Sequence, residues 1–279
     1  MNVDGEMIKT ARKQKRMTQR NLAKGICTQA TISNIENKNT CDSLEIFSAV
    51  CLRLDLQVDE CMEISEEKRI KNLLIKVEKL CLKAKHKEAY ELLVDIGDDI
   101  EFSDSLISGK YIYYKGITTL LGKRDLVSAM FYLYQGTEYN KKYNIYNILC
   151  LNGLGVLYEL EGQLEKAKKY YDKSLMKLEG SMDEDSLKSC LIYYNTAKFY
   201  SDIKNYNKSI ELCKKGIDIC LKHFSDYLLD FLLYEKAFNE YKLGNREAQI
   251  DYYQVYYMTK FWKNSKLLEV IKKDLENIT

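Results

Sequence analysis

No proline occurs in the 279 residues, so the strongest helix breaker is missing from a chain rich in Lys, Glu, Leu and Tyr. That absence argues for an all-α protein and leaves little room for sheet. Histidine is scarce, with only His86 and His223. The nine cysteines, at positions 27, 41, 51, 61, 81, 150, 190, 213 and 220, are odd in number, scattered and without a C-x-x-C pair. Neither histidine completes a zinc-ligand spacing, so no metal site is expected and the cysteines read as reduced core residues. No apolar run approaches the roughly 18 residues that a membrane span needs, and no basic-then-apolar leader opens the chain. The expectation is a cytoplasmic protein without a membrane partner. Catalytic signatures are missing too: there is no P-loop, Gly-rich nucleotide turn, G-x-S-x-G or H-E-x-x-H, and Gly153-Leu154-Gly155 falls inside a helical pattern. A protein that is not an enzyme and has no cofactor is expected.

What is present is 46% hydrophobic and 30% charged sequence, enough to bury one large or two moderate cores. The net charge of +2 excludes a polycation that coats nucleic acid or anionic membrane unselectively. The sign is unevenly spread, however. Residues 1–40 carry eight bases (Lys9, Arg12, Lys13, Lys15, Arg16, Arg20, Lys24, Lys38) against three acids, a surplus of five, whereas residues 41–64 carry six acids against Arg53 alone. One face of a small N-terminal domain can therefore be strongly basic.

The hydrophobic pattern over residues 1–64 breaks into five short helical segments, near 5–15, 18–25, 29–36, 44–54 and 57–63. Thr18 and Thr28 stand where N-caps belong and Gly25 where a helix stops. Ser65, followed by Glu66 and Glu67, reads as the start of a linker helix over 65–80 that enters a second domain, 65–279. There the chain repeats. A small residue in one helix is followed about 12 positions later by another: Val77/Ala89, Gly116/Ala129, Gly155/Ala167, Ala197/Ser209 and Ala237/Gln249. The first positions are 39, 39, 42 and 40 apart, longer than the tetratricopeptide period of about 34. Five tetratricopeptide-like helix pairs are predicted, with Ser265 to Ile278 as an amphipathic capping helix.

Within residues 8–36, Ile8, Ala11, Met17, Leu22, Ala23, Ile26, Ile32 and Ile35 are spaced to close a core, while Gln19, Gln29, Ala30, Thr31, Ser33 and Asn34 fall on the other faces. That second group has base-reading chemistry. Behind the Thr28 cap, Gln29 and Asn34 can each contact adenine N6 and N7 in bidentate fashion, and Ala30 and the Thr31 methyl can pack on thymine methyls. Thr18, Gln19, Arg20, Lys38 and Asn39 are better placed for phosphates. The runs Ala11-Arg12, Met17-Thr18-Gln19, Leu22-Ala23 and Thr28 to Glu36 resemble the Xre or phage-repressor helix-turn-helix. That resemblance implies a five-helix lambda-repressor-like domain in which Arg12 and Glu36 form a structural ion pair.

Together with the repeats, and with Tyr194-Asn195-Thr196-Ala197-Lys198, the chain resembles the Rgg, Rap, NprR, PlcR and PrgX group of quorum-sensing regulators, most closely the PlcR type. The resemblance implies a right-handed superhelix of helix pairs, a homodimer on palindromic double-stranded DNA, and a short signalling peptide on the concave repeat face. A carboxamide can satisfy an amide and a carbonyl of an extended peptide at once, and Asn152 and Asn195 match family positions that clamp peptide backbone. Tyr113, Tyr194, Tyr234, Phe238 and Tyr241 are candidate groove residues, although packing is the commoner role for any one of them. Lys83 and Lys85 lie in the stretch where the group has basic peptide contacts, with shifted register. The alternative is a tetratricopeptide adaptor that binds or sequesters a protein, with DNA binding secondary.

Overall fold

The structure is a computed structural model that describes residues 1–62, 66–94, 96, 102–138 and 143–278. Among these the regular elements are helices, with two isolated bridges, Asn2 with Thr40 and Val3 with Met62. Two compact units divide the chain, Met1–Asn72 and Leu73–Thr279. The joint falls within one helix, α6 (Glu66–Leu82). The expected helix start at Ser65, the boundary between 64 and 65 and the end of the fifth segment at 63 lie outside the described residues.

The N-terminal unit consists of α1 (Gly5–Gln14), α2 (Gln19–Ala23), α3 (Gln29–Lys38), α4 (Leu44–Arg53) and α5 (Val58–Cys61). These helices are too short to persist alone, and side-chain caps define where four of them begin. Asp4, Thr18, Thr28 and Ser43 accept hydrogen bonds from the amides of Met7, Asn21, Thr31 and Ile46, donors that would otherwise go unpaired in the first turn. The helix α3 ends on Asn39, whose φ of 53° is left-handed and whose Oδ1 accepts from the Gly5 amide at 3.1 Å. Val3, Ile8, Leu22, Ile32, Ile35, Phe47, Val50 and Leu54 fill the core between them.

In the second unit the helices follow one another in pairs: α6 with α7 (His86–Val94); α8 (Ser105–Thr118), prolonged by a π-helical turn at Thr119–Lys123, with α9 (Leu126–Glu138); α10 (Ile145–Leu160) with α11 (Leu164–Leu178); α12 (Ser189–Asp202) with α13 (Tyr206–Lys222); α14 (Leu229–Lys242) with α15 (Ala248–Phe261). Small residues let the paired helices approach. A Cβ added at Gly155 would lie 2.8 Å from the Tyr171 ring, and one at Gly116 would lie 2.8 Å from Leu133 Cδ2. Val77, Ala89, Ala129, Ala167, Ala197, Ser209 and Ala237 are fully buried, as the repeat predicts. The fifth pair corrects the register. Ala248, not Gln249, is the buried small residue, because α15 begins at Ala248 directly after its turn, which sets the helix phase one residue earlier. The last helix, α16 (Ser265–Ile278), covers the fifth pair by packing Leu267 and Ile271 with Ala237, Tyr252 and Val255.

Candidate nucleic-acid interface and ligand cleft

A chain of polar contacts fixes α3 against α1 and α2. Arg12 holds Glu36 in bidentate fashion, Nε to Oε1 at 2.6 Å and Nη2 to Oε2 at 2.9 Å, while its Nη1 donates to the Met17 carbonyl at 2.6 Å. Gln19 Nε2 donates to Glu36 Oε2 at 2.9 Å, and its Oε1 accepts from Gln29 Nε2 at 2.7 Å. Glu36 is 5% exposed. Burial alone would raise its pKa, but the hydrogen bonds from Arg12 and Gln19 outweigh it and hold the carboxyl below its ordinary value. The same bond to Glu36 raises the Arg12 pKa. A buried charge with two donors of this geometry is paired and hydrogen-bonded, the condition under which it is tolerated.

On the far side of this chain, Thr28, Gln29, Ala30, Asn34, Lys38 and Asn39 are exposed, and Thr31 and Ser33 are half-buried. Thr18 and Arg20 are exposed at the start of α2, and Gln19 is half-buried. Besides the Gln19–Gln29 bond and the caps of Thr18 and Thr28, three more of these side chains have intramolecular work: the Thr31 hydroxyl meets that of Thr28 at 2.9 Å, Ser33 Oγ accepts from Asn37, and Asn39 caps toward Gly5. Gln29 and Arg20 share the wall of a shallow depression with Asn21, Lys24 and Cys27.

In the repeat unit Asn152 and Asn195 meet directly, with Asn195 Nδ2 donating to Asn152 Oδ1 at 2.9 Å. Asn152 is 1% exposed, and its Nδ2 faces Ser174 Oγ at 3.3 Å, Thr196 Oγ1 at 3.1 Å and the Ile192 carbonyl at 3.5 Å. Its polar atoms are therefore met from within, and it positions the half-buried Asn195. Tyr113 is buried against Tyr114 and Tyr146. Tyr234, Phe238 and Tyr241 gather around Tyr252 or one another, and the Tyr234 hydroxyl donates to Asp274 of α16 at 2.8 Å. Tyr234 and Phe238 thus join the packing under the final helix, while Tyr241 stays exposed at the edge of Tyr252. Tyr194 instead packs on Phe231, with centroids 5.4 Å apart.

Phe231 lines a cleft of about 840 Å³ that also contains Lys83, Lys85, Tyr227, Asp230, Trp262, Lys263 and Lys266. Lys83 and Lys85 are exposed, and Lys85 pairs with Glu88 at 2.8 Å. Asp230 is bound by Asn264 Nδ2 at 2.8 Å, and burial raises its pKa. Four lysines beside three aromatic rings suit an anionic group attached to an apolar body. Among the described residues no cluster of His, Cys, Asp and Glu is placed to hold a metal ion, and no helix is long and apolar enough to cross a membrane.

Residues 8–61 match the helix-turn-helix family. That match runs from within α1 to the end of α5 and includes the whole Arg12–Glu36–Gln19–Gln29 chain of contacts. No curated protein matches the sequence. Among solved structures, the chain resembles PlcR of Bacillus thuringiensis in complex with the peptide PapR7 and DNA, at 21% identity and a TM-score of 0.64, covering 96% of this chain and 98% of that one. PlcR in its apo form matches at 20% identity, with the same TM-score and coverage. ComR from S. thermophilus, in complex with DNA and its signalling peptide ComS, matches at 17% identity with a TM-score of 0.53, covering 98% of each chain. At these identities the likeness establishes a shared fold, a helix-turn-helix unit followed by helical repeats.

Several contributors escaped the sequence. Arg53 Nη1 donates to the carbonyls of Leu22 at 2.9 Å and Lys24 at 2.5 Å, closing the C-terminal end of α2 of the helix-turn-helix. As the lone base among six acids it was legible only as an exception. Ser174 and Thr196, which seat Asn152, are ordinary helical polar residues. The cleft is assembled from residues near 82–85, 187, 225–231 and 262–266, which share no periodic signal.

Proposed function

We propose that the protein is a sequence-specific transcription regulator that binds a palindromic operator as a homodimer and is controlled by a short signalling peptide held by the repeat unit. The observation that carries this reading is the exposed edge of α3. Gln29, Ala30 and Asn34 face solvent, while Glu36, Arg12 and Gln19 lock the helix from behind. A short helix so braced can present carboxamides to adenine and a methyl to thymine without paying much ordering entropy. Arg20, Lys38 and the Thr18 end of α2 supply phosphate contacts that set register. The likeness in fold to proteins solved with both peptide and DNA supports the pairing of the two activities.

For the peptide, Asn195 seated on Asn152 supplies a carboxamide for backbone, and the cleft with Lys83 and Lys85 supplies cationic and aromatic partners for an acidic side chain or terminal carboxylate. Peptide binding favours one arrangement of the repeats, and α6, common to both units, passes that preference to the DNA-binding unit. The test is selection of an operator from random duplexes, followed by binding with and without synthetic peptides matching the C-termini of small reading frames beside the gene. Operator preference that changes with one such peptide supports the reading; no preference over random duplex at any salt concentration overturns it.

A second reading, a protein-binding adaptor, draws on the outer face of α15, where Ile250, Tyr253, Tyr257 and Phe261 are exposed at helical spacing. An apolar stripe of this kind suits a folded partner. Recovery of a stoichiometric partner, together with no operator preference, would favour it.

A further inference from the structure

Two thiols lie side by side in the repeat unit. Cys190 is the second residue of α12, Cys220 lies near the end of α13, and their Sγ atoms are 3.7 Å apart. Both residues are fully buried. Cys220 Sγ also approaches the carbonyl of Tyr227 at 3.2 Å and Cys190 Sγ that of Gly216 at 3.5 Å. Tyr227 belongs to the segment 225–231 that forms one wall of the lysine- and aromatic-lined cleft. Its ring lies under Lys188 Nζ at 5.3 Å, and the next residue, Leu228, has a left-handed φ of 57°. The thiol pair is therefore wired through one peptide carbonyl to the wall of the cleft.

We propose that Cys190 and Cys220 form a reversible, peroxide-driven disulfide that reshapes the 225–231 wall of the cleft. The sulfurs need to approach by about 1.7 Å to reach bonding distance near 2.05 Å. The helices that carry them are antiparallel neighbours, so side-chain rotation with small backbone adjustment brings them together. The Cys220 thiolate attacks one peroxide oxygen, forming a sulfenic acid and releasing hydroxide. The Cys190 sulfur then attacks the sulfenic sulfur, the S–S bond forms, and the S–OH oxygen leaves as water. Two thiols and one hydrogen peroxide give one disulfide and two waters, with both sulfurs oxidised and the peroxide reduced. Neither sulfur retains a hydrogen, so the Tyr227 carbonyl loses its donor and the wall shifts. The order of attack follows from the environment: the hydrogen bond between the two sulfurs moves the Cys220 thiol down and, together with burial, pushes the Cys190 thiol up. Burial of both sulfurs admits a small neutral oxidant during local opening and keeps bulky thiol reagents out.

The experiment uses the full-length protein, hydrogen peroxide and no peptide, so its outcome is separate from the fate of the proposed peptide function. After mild peroxide and thiol blocking, peptide mapping is expected to join Cys190 to Cys220, and dithiothreitol to undo the link. In Cys190→Ser the sulfenic acid has no resolving partner, so dimedone labels Cys220, about tenfold more than it labels Cys190 in Cys220→Ser. The sole tryptophan, Trp262, lines the same cleft, so its emission should shift on oxidation of the wild type and stay fixed in a Cys190→Ala, Cys220→Ala double variant. A wild-type map without the 190–220 link at peroxide levels that already oxidise methionine overturns the proposal, and it requires no variant to fold. A link that forms without any change in Trp262 emission overturns the coupling to the cleft.

Discussion

The two units of the chain solve the same problem, holding short helices together, by different means. In the N-terminal unit, helices of four to ten residues, four of them started by side-chain caps, are aligned by the Arg12–Glu36–Gln19–Gln29 chain around the buried Glu36 carboxylate. In the repeat unit, helices of nine to seventeen residues rely on small residues meeting large ones, as Gly155 meets Tyr171. Polar contacts have direction and fix a helix face, whereas apolar contacts add stability in proportion to area. The unit that presents a face outward fixes that face with the directional kind, whereas the scaffold, although Asp104, Asn144 and Asn205 cap its helices, spaces its pairs with the additive kind.

The largest expected effects separate the two strategies. Glu36→Ala strips the part-buried Arg12 guanidinium of its buried partner and should cost about 3–5 kcal/mol, read as lost hydrogen-exchange protection in residues 1–62 with the repeat unit retained. Tyr171→Ala empties the groove against Gly155 and should cost about 3–5 kcal/mol, with loss of protection in α10 and α11 and none in α3. Equal loss in both units from either change would erase the contrast. Asn152→Leu leaves the Ser174 and Thr196 hydroxyls and the Asn195 carboxamide short of partners. It should cost about 1–3 kcal/mol in urea denaturation, a directional exception inside the apolar scaffold.

A smaller effect is expected in acid. Because the folded Glu36 carboxyl lies below its ordinary pKa of about 4.3, its contribution is complete above that value and disappears as pH falls through the depressed one. Glu36→Gln should flatten that part of the stability profile of the N-terminal unit, measured by urea midpoints across acid pH. An unchanged profile would show that the pair adds nothing to acid resistance.

Much of this was legible in the sequence for a physical reason. Caps, helix stops and apolar spacing are local signals, so α1 to α4 fall within two residues of their expected ends, and the recurring small residues place all five helix pairs. The register at Ala248 was misjudged because spacing alone does not reveal where a helix starts after a turn. The ligand side was less legible. Asn152 and Asn195 do meet, but only the packing shows that one seats the other, and that Tyr234 and Phe238 gather under α16. Lys83 and Lys85 share their cleft with Phe231 and Trp262, residues about 150 and 180 positions away, a distance no local pattern spans.

The central claim is that the outward edge of α3 reads bases while α1 braces it and α2 adds only phosphate contacts and bracing. The most direct measurement is the ratio of affinities for a selected operator and for random duplex, taken over a range of salt for wild type and Gln29→Ala. The account predicts that the variant loses about 1–3 kcal/mol of discrimination while the salt slope, set by phosphate contacts, is unchanged. An unchanged ratio in a variant that keeps its helical content and urea midpoint would contradict it.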